Sequence, residues 1–171
     1  AKTPGMMLGY WNNHVATAEV IDRDGWLHTG DQARIENGHI YITGRIKDIL
    51  VLSNGEKIPP ADMELAICLA PEIEQALIVG EGKPYLSAIL VLNPEEWKRL
   101  AGRYDLDVDA DESLDNDKLQ QYLIKIVRRR LKDFPGYAKV RRVILVTDQW
   151  SVDNGLLTPT LKVKRARVLD R

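Results

Sequence analysis

Apolar and polar positions follow two different periods along the chain, and each period predicts a different element. A helical period predicts a helix over residues 118–134, because apolar side chains recur there at i, i+3, i+4 and i+7; they are Leu119, Tyr122, Leu123, Ile126, Val127, Leu131 and Phe134. Short apolar runs at 74–79, 85–92 and 140–147 predict three strands. The first two are separated by a glycine- and proline-containing turn.

Turn residues divide the rest of the chain. Asn37 and Gly38 lie between two short apolar runs and predict a β-hairpin, because Asn-Gly supplies the positive φ angles of a tight turn. Pro60 predicts the first turn of a helix. Four other segments complete the prediction: loop and short strand at 1–18, a short helix at 94–103, an exposed loop with seven acids at 105–117, and a terminal helical turn at 161–168.

This order of elements predicts a small α+β domain with about three strands and three helices, preceded by a β-hairpin-rich segment. The 171 residues are 44% hydrophobic and 29% charged, which excludes wholesale disorder. A single cysteine, Cys68, excludes an intramolecular disulfide and indicates a reducing, cytoplasmic compartment. We expect Cys68 in the core. The apolar runs are shorter than a membrane span, and the N-terminus, which lacks a signal-peptide pattern, begins at Ala1 in mid-pattern, as in a fragment.

Charge is strongly segregated although the net charge is only −1. Residues 1–117 carry 10 Lys and Arg against 21 Asp and Glu, whereas residues 118–171 carry 14 against 4. A basic end can bind nucleic acid or an anionic ligand, but it is most often a solvated face. We assign the arginines at 128–130 to such a face. The three histidines share no metal-site spacing with Cys68 or with carboxylates, so no metal site is predicted.

Several motifs occur together in one order. Residues 25–31 read Gly-Trp-Leu-His-Thr-Gly-Asp, and residues 9–17 precede them with Gly-Tyr-Trp-Asn at their start. Residues 44–48 read Gly-Arg-Ile-Lys-Asp, residues 53–58 Ser-Asn-Gly-Glu-Lys-Ile, and residues 157–165 Leu-Thr-Pro-Thr-Leu-Lys-Val-Lys-Arg. In this order they resemble the adenylate-forming enzymes, which include acyl-CoA synthetases, peptide synthetase adenylation domains and luciferases. The resemblance covers nearly the whole chain.

The variant of these motifs is most similar to long-chain fatty acyl-CoA synthetases. Peptide synthetase domains usually have Asn-Gly-Lys where this chain has Thr160, Leu161 and Lys162. Nothing here resembles the family's phosphate loop or acyl pocket. The resemblance therefore implies that residues 1–44 are the end of a large N-terminal adenylation domain, and that residues 45–171 are the mobile C-terminal domain.

The resemblance also implies roles for five residues. Asp31 and Arg45 would bind the ribose and phosphates of ATP or AMP. Lys47 would be the hinge between the domains. Gly55 would line the tunnel for the pantetheine arm of CoA. Lys162 would be catalytic, since a positioned ammonium stabilises charge that develops during phosphoryl transfer.

Each of these residues also has a structural interpretation. Asp31 could cap an Asx-type turn, and Gly55 could belong to an ordinary Asn-Gly turn. Arg45 and Lys47 could be solvated side chains. Lys162 could be one more member of the basic cluster that ends the chain.

We interpret the chain as the C-terminal part of an ATP-dependent long-chain fatty acid–CoA ligase, inactive alone. ATP, Mg²⁺ and CoA would serve the full-length enzyme, with Mg²⁺ held mainly by phosphates and the missing domain. No nucleic-acid partner is expected, and the resemblance leaves room for peripheral membrane contact by the full-length enzyme. The alternatives are a carrier-protein ligase, a peptide synthetase adenylation domain, and a stand-alone basic interaction module.

Overall fold

The computed structural model describes residues 1–171, and the chain forms two compact units, Ala1–Asp48 and Ile49–Arg171. The first unit contains a short helix, α1 (His14–Val20), and an antiparallel hairpin of β1 (Asp31–Glu36) and β2 (His39–Arg45). The hairpin turns at Asn37 and Gly38, which have φ angles of 51° and 79°. This confirms the predicted Asn-Gly turn.

The helix α1 contradicts the loop and short strand predicted at residues 1–18. It buries no side chain, so no helical period of apolar residues marks it in the sequence. Local polar bonds define it instead. The Asn13 side chain accepts the Ala16 amide hydrogen at 3.0 Å, and the Thr17 hydroxyl donates to the Asn13 carbonyl at 2.8 Å.

The second unit is built on a three-stranded sheet. Its central strand, β6 (Leu86–Leu92), pairs antiparallel with β5 (Ile73–Val79) and parallel with β7 (Val140–Val146). A small hairpin of β3 (Leu50–Val51) and β4 (Lys57–Ile58) precedes them. The helices are α2 (Pro60–Cys68), α3 (Pro94–Tyr104), α4 (Asp117–Arg130) and α5 (Arg165–Leu169). The predicted α+β class is confirmed.

Both faces of the three-stranded sheet are buried. On one face, alternate strand residues such as Ile78 and Leu90 pack against α2, α3 and α4. On the other face, Leu77 and Val91 pack against the C-terminal segment, which contributes Trp150, Leu156, Leu157 and Val168. Strands buried on both faces read as continuous apolar runs. The core thus fixes the C-terminal segment against the sheet.

Three predicted segments differ from the structure by more than one residue at an end. The terminal helical turn predicted at 161–168 is helix α5, Arg165–Leu169, because the residues before it form a separate turn in which the Thr158 amide donates to the Lys162 carbonyl. Helix α4 ends at Arg130 rather than at residue 134, because the chain tightens there: the Phe134 amide bonds the Leu131 carbonyl at 3.1 Å, just before Pro135. The acidic segment predicted as an exposed loop contains a 3₁₀ turn, Asp111–Asp115, which buries Ser113. The turn could not be predicted from the acidic composition of this segment, because most of its carboxylates are exposed to solvent, as they would be in a loop.

Candidate functional site

Asp31 and Arg45 lie directly opposite each other on the hairpin of the first unit. The Arg45 Nε atom is 3.0 Å from Asp31 Oδ1, so the two predicted nucleotide-binding residues form an ion pair with each other. Gly30, with a φ of 74°, turns the chain into β1 just before Asp31. The Asp31 carboxylate pairs with Arg45 and accepts no backbone hydrogen bond, which argues against the Asx-cap interpretation. The pair presents an acceptor and a donor side by side, a combination suited to sugar hydroxyls.

Lys47 is the middle residue of a 3₁₀ turn, Ile46–Asp48, at the end of the first unit. A hydrogen bond holds the first residue of this turn against the start of β1: the Ile46 amide donates to the Gly30 carbonyl at 2.8 Å. The Lys47 side chain is exposed and forms no ion pair. This geometry suits both a hinge and a solvated lysine, and the hinge stays a prediction.

Gly55 lies in the turn between β3 and β4 with a φ of 83°. A Cβ atom placed on Gly55 would have no neighbour within 4 Å, so the left-handed backbone, rather than packing in this chain, favours glycine there. The hairpin is fixed to the turn between β5 and β6. The Ser53 amide donates to the Lys83 carbonyl at 3.0 Å, and the Val51 amide donates to Glu81 Oε2 at 2.7 Å. Gly55 thus presents an open surface on an anchored loop.

Lys162 lies on a tight turn that is held by its backbone. Leu157 and Val163 form an antiparallel bridge, and the Thr158 amide donates to the Lys162 carbonyl at 2.8 Å. The Lys162 amide donates back to Thr158 Oγ1 at 3.0 Å. The lysine side chain is exposed and makes no ion pair. An ordered backbone with a free ammonium is the arrangement that a positioned cation needs.

Leu161 adopts a left-handed backbone conformation, with a φ of 60°, in that same turn. The Leu161 amide donates to the Thr158 carbonyl at 2.8 Å, which closes a four-residue turn with Pro159 at its second position. Leu161 is the last residue of this turn, and glycine is favoured at a left-handed residue in that position. The structure therefore explains, in backbone terms, why the resembling peptide synthetase motif has glycine at this place.

Sequence reasoning missed the ion pair that fixes the C-terminal segment. Arg165 Nη1 lies 2.7 Å from Glu64 Oε1 on α2, and the second Arg165 terminal nitrogen donates to the Ile78 carbonyl. The same Glu64 oxygen accepts the Ile78 amide hydrogen at 2.8 Å. The only sequence signal was that Arg165 ends the lysine-containing motif. This cluster connects α2, β5 and the start of α5, three residues after Lys162.

Cys68 is part of the core rather than of a reactive site. Burial, with the nearby Glu64 carboxylate, raises the pKa of the Cys68 thiol, so Cys68 is not an activated nucleophile. Cys68 is half-buried and packs against the main core, where the sequence placed it. No group of three or more histidine, cysteine or acidic residues lies close enough to hold a metal ion. No helix is long and apolar enough to cross a bilayer.

The chain is similar to several known proteins. The family model described as the AMP-binding enzyme C-terminal domain matches residues 47–171. The chain is 33% identical over 95% of its length to the long-chain-fatty-acid–CoA ligase FadD15 of Mycobacterium tuberculosis, of which it covers 28%. It is 32% identical over 97% of its length to the chloroplastic long-chain-fatty-acid–[acyl-carrier-protein] ligase AEE15 of Arabidopsis thaliana, of which it covers 23%.

A solved structure shows the same fold. It is the A domain of a carboxylic acid reductase from Segniliparus rugosus, in complex with AMP and a co-purified carboxylic acid. The TM-score is 0.83 at 27% identity, over 99% of this chain and 26% of that one. The chain thus spans about a quarter of the length of the proteins that it matches. With a family model matched over most of its length, the chain belongs to the AMP-binding enzyme C-terminal domain family.

Proposed function

We propose that this chain is part of an ATP-dependent ligase that activates a long-chain fatty acid as its adenylate and transfers the acyl group to CoA. In the first step a carboxylate oxygen attacks the α-phosphorus of ATP, and pyrophosphate leaves. In the second step the CoA sulfur attacks the acyl carbonyl carbon, AMP leaves, and the thiol proton passes to solvent. The observation that carries the proposal is the anchored turn that presents a free Lys162 ammonium.

Lys162 would act in the first step only. Two anions meet there, and a cation placed between them lowers the barrier to their approach. The backbone bonds between Thr158 and Lys162 support this role, because they hold the lysine without using its side chain. Asp31 would accept hydrogen bonds from the ribose hydroxyls, and Arg45 would donate to the nucleotide.

The proposal includes the domain assignment. Residues 1–44 would end a larger adenylation domain, and residues 45–171 would form a C-terminal domain that reorients about Lys47 between the two steps. The family match starting at residue 47 and the compact unit starting at Ile49 support this division. Gly55 would line the tunnel through which the pantetheine arm of CoA reaches the acyl group in the second step. The isolated chain would be inactive, because it spans only about a quarter of its relatives.

Mg²⁺ would accompany ATP, but the residues of this chain do not form a site for it. We therefore assign no step to the metal.

The protein would act in the cytoplasm.

The test compares two lysines of one turn region in the complete protein that contains this chain. Lys162→Ala should slow adenylate formation by about 10²–10³-fold, the effect of losing one preorganised group. Lys164→Ala, also exposed and unpaired, is the matched control and should cost far less. Single-turnover kinetics with ATP and palmitate measure the first step, and supplied acyl-adenylate with CoA isolates the second.

Two outcomes would contradict the proposal. Equal damage from Lys164→Ala would mean that the turn does not select Lys162. Equal loss of both half-reactions in Lys162→Ala would contradict a role limited to adenylation. Since Lys162 is exposed, its removal should change stability by less than about 0.5 kcal/mol.

The hinge has its own test. Lys47→Pro fixes φ near −65° and should impair one half-reaction much more than the other. Lys47→Ala, which keeps the backbone free, should impair neither.

Two thiols are candidate acceptors of the acyl group. The relative AEE15 is named for an acyl-carrier-protein acceptor, so a carrier-protein thiol is the second candidate. Supplying acyl-adenylate with either CoA or a carrier protein, and measuring thioester formation with each, decides between the two acceptors.

A further inference from the structure

The Lys162 turn belongs to a C-terminal segment that is hydrogen-bonded to one edge of the central sheet at two places. At the start of this segment the Trp150 amide donates to Gln75 Oε1 at 2.7 Å, and the Gln75 side-chain amide donates to the Trp150 carbonyl at 3.0 Å. After the turn, the Arg165 guanidinium donates to the Ile78 carbonyl. Gln75 and Ile78 both lie on β5, an edge strand of the sheet. The segment that carries Lys162 is therefore held on both sides of the turn by one strand.

The contact after the turn includes an ion pair that is mostly shielded from water. Glu64 has a fixed position, because Met63 and Ile67 on the same helix are fully buried in the main core. One oxygen of its carboxylate accepts both the Ile78 amide hydrogen and a hydrogen from the Arg165 guanidinium. Both members of the pair are mostly buried, so solvent screens their attraction less than it screens a surface pair. Arg165 is thus held by charge as well as by its bond to the Ile78 carbonyl.

Only two residues, Val163 and Lys164, separate Lys162 from the arginine of the pair, and both have bonded backbones. Val163 forms an antiparallel bridge with Leu157, and the Lys164 amide donates to the Leu156 carbonyl at 2.8 Å. Both leucines are buried against the sheet. A short and ordered stretch of chain therefore connects the ion pair to the lysine turn, and a displacement of the pair is transmitted to the turn.

We propose that Glu64 and Arg165 are positioning residues for Lys162, and that their ion pair determines where the lysine ammonium lies during adenylate formation. The inference rests on the proposed function of Lys162. The lysine side chain makes no ion pair, so its placement depends on the backbone that carries it. A displacement of about 1 Å in a positioned group can reduce a rate by roughly 10²-fold. The pair thus acts through the lysine and contacts neither ATP nor the acid.

A pair that only stabilised the fold would have a different kinetic effect. Its loss would reduce both half-reactions together, and only under conditions in which unfolded protein accumulates. Loss of a positioning pair instead slows adenylate formation in protein that is fully folded, because the thioester step does not use the lysine. The step that is affected therefore distinguishes the two roles.

The experiment measures both half-reactions in the complete protein, at a temperature where circular dichroism shows every variant to be folded. The pair variants are Glu64→Gln, Arg165→Gln and the double variant. Glu64→Gln removes the charge but keeps an acceptor for the Ile78 amide hydrogen. Leu100→Val is the matched control, since it shortens a fully buried side chain on α3 and destabilises the same core.

We expect each single pair variant to slow adenylate formation by about tenfold, with the KM for ATP nearly unchanged. The double variant should be no slower than either single variant, because both changes remove the same interaction. Thioester formation from supplied acyl-adenylate and CoA should change by less than about twofold in all three. Leu100→Val should leave both steps within about twofold of the wild type.

Amide hydrogen exchange over residues 157–164 gives a second readout that does not depend on catalysis. The bonds between Thr158 and Lys162 lie within this stretch. Exchange there should be about tenfold faster in the pair variants than in the wild type, because the turn opens locally once the pair is lost. Leu100→Val should exchange like the wild type over these residues.

Unchanged exchange over residues 157–164 in both pair variants would overturn the inference. So would an equal loss of the two half-reactions, or an equal slowing of adenylation by Leu100→Val. If Lys162→Ala slows adenylation and the pair variants do not, this inference fails and the proposed function stands. If Lys162→Ala has no effect while the pair variants still loosen the turn, the proposed function fails, and the positioning of Lys162 by the pair stands.

Discussion

The Glu64 carboxylate and the Arg165 guanidinium, 101 residues apart in the sequence, meet at 2.7 Å. Both side chains are mostly buried, with exposed fractions of 19% and 23%. Glu64 also accepts the Ile78 amide hydrogen, and Arg165 also donates to the Ile78 carbonyl. One residue of the central sheet is therefore bonded by both members of the pair, which fixes the start of α5 behind the Lys162 turn.

Removing the arginine should destabilise the second unit. Arg165→Gln leaves the Glu64 charge without its partner and should lower the free energy of unfolding by about 2 kcal/mol. Arg167→Gln changes an exposed arginine of the same helix and should cost less than about 0.5 kcal/mol. Urea unfolding followed by circular dichroism measures both. Similar losses for the two variants would show that the pair contributes little.

The sequence predicts those helices and strands that are determined by a local pattern of apolar, capping or turn residues. Helix α4 has an apolar period, and Asn116 caps it by accepting the Lys118 and Leu119 amide hydrogens. The β1–β2 hairpin has its Asn-Gly turn. Helix α1 could not be predicted from apolar spacing, since it has no buried face.

In the candidate site, too, residues within local motifs could be predicted, and contacts between distant segments could not. Asp31, Arg45 and Lys162 lie in contiguous motifs, so pattern alone selects them. The pairing of Glu64 with Arg165 depends on how α2 and α5 pack on the sheet, and no local period relates two residues so far apart.

Changing Asp31 should affect nucleotide affinity much more than it affects the free energy of unfolding. On the proposed ribose contact of Asp31, Asp31→Asn should weaken ATP binding by the complete protein about tenfold or more, because the side chain would no longer accept hydrogen bonds as a charged group. Its effect on stability should stay below about 1 kcal/mol, because the Arg45 side chain of the pair is 56% exposed and water screens the two charges. Equilibrium binding of ATP and thermal unfolding measure the two effects.

The hairpin supplies its own control. Glu36 pairs with Arg34 at 3.4 Å at the opposite end of the same two strands. Glu36→Gln should therefore reproduce the small stability change of Asp31→Asn without the loss of ATP affinity. If both variants bind ATP like the wild type, Asp31 is structural.

The left-handed backbone of Leu161 predicts an unusual substitution result. The side chain is 71% exposed, so its removal sacrifices little burial. A left-handed conformation costs a non-glycine residue roughly 1–2 kcal/mol, whereas glycine loses about 0.5–1 kcal/mol in unfolded-state entropy. Leu161→Gly should therefore stabilise the chain by up to about 1 kcal/mol, and the β-branched Leu161→Val should destabilise it. Urea unfolding measures the difference, and a destabilised glycine variant would contradict the strain.

The Tyr122 hydroxyl donates to Glu72 Oε1 at 2.9 Å, and Glu72 is only 8% exposed. Burial, followed by the hydrogen bond to Glu72, raises the pKa of Tyr122 above its ordinary value of 10.0. Below pH 10 the phenol is neutral in both the folded and the unfolded chain, so its contribution to stability is complete. As the pH rises above 10, the unfolded chain releases the proton first, and the contribution is lost as the pH passes through the folded pKa.

Tyr122→Phe should therefore show two effects. At pH 7 it should lower the free energy of unfolding by about 1 kcal/mol, because Glu72 loses a donor while the ring that packs against Tyr104 is retained. Above pH 10 the difference from the wild type should shrink, since phenylalanine has no proton to release. Tyr137→Phe, which removes an exposed phenol without a hydrogen-bond partner, should change stability by less than about 0.5 kcal/mol at pH 7. Urea unfolding at pH 7 and at pH 10.5 measures these differences, and a constant gap between Tyr122→Phe and the wild type would show that folding does not raise the pKa of Tyr122.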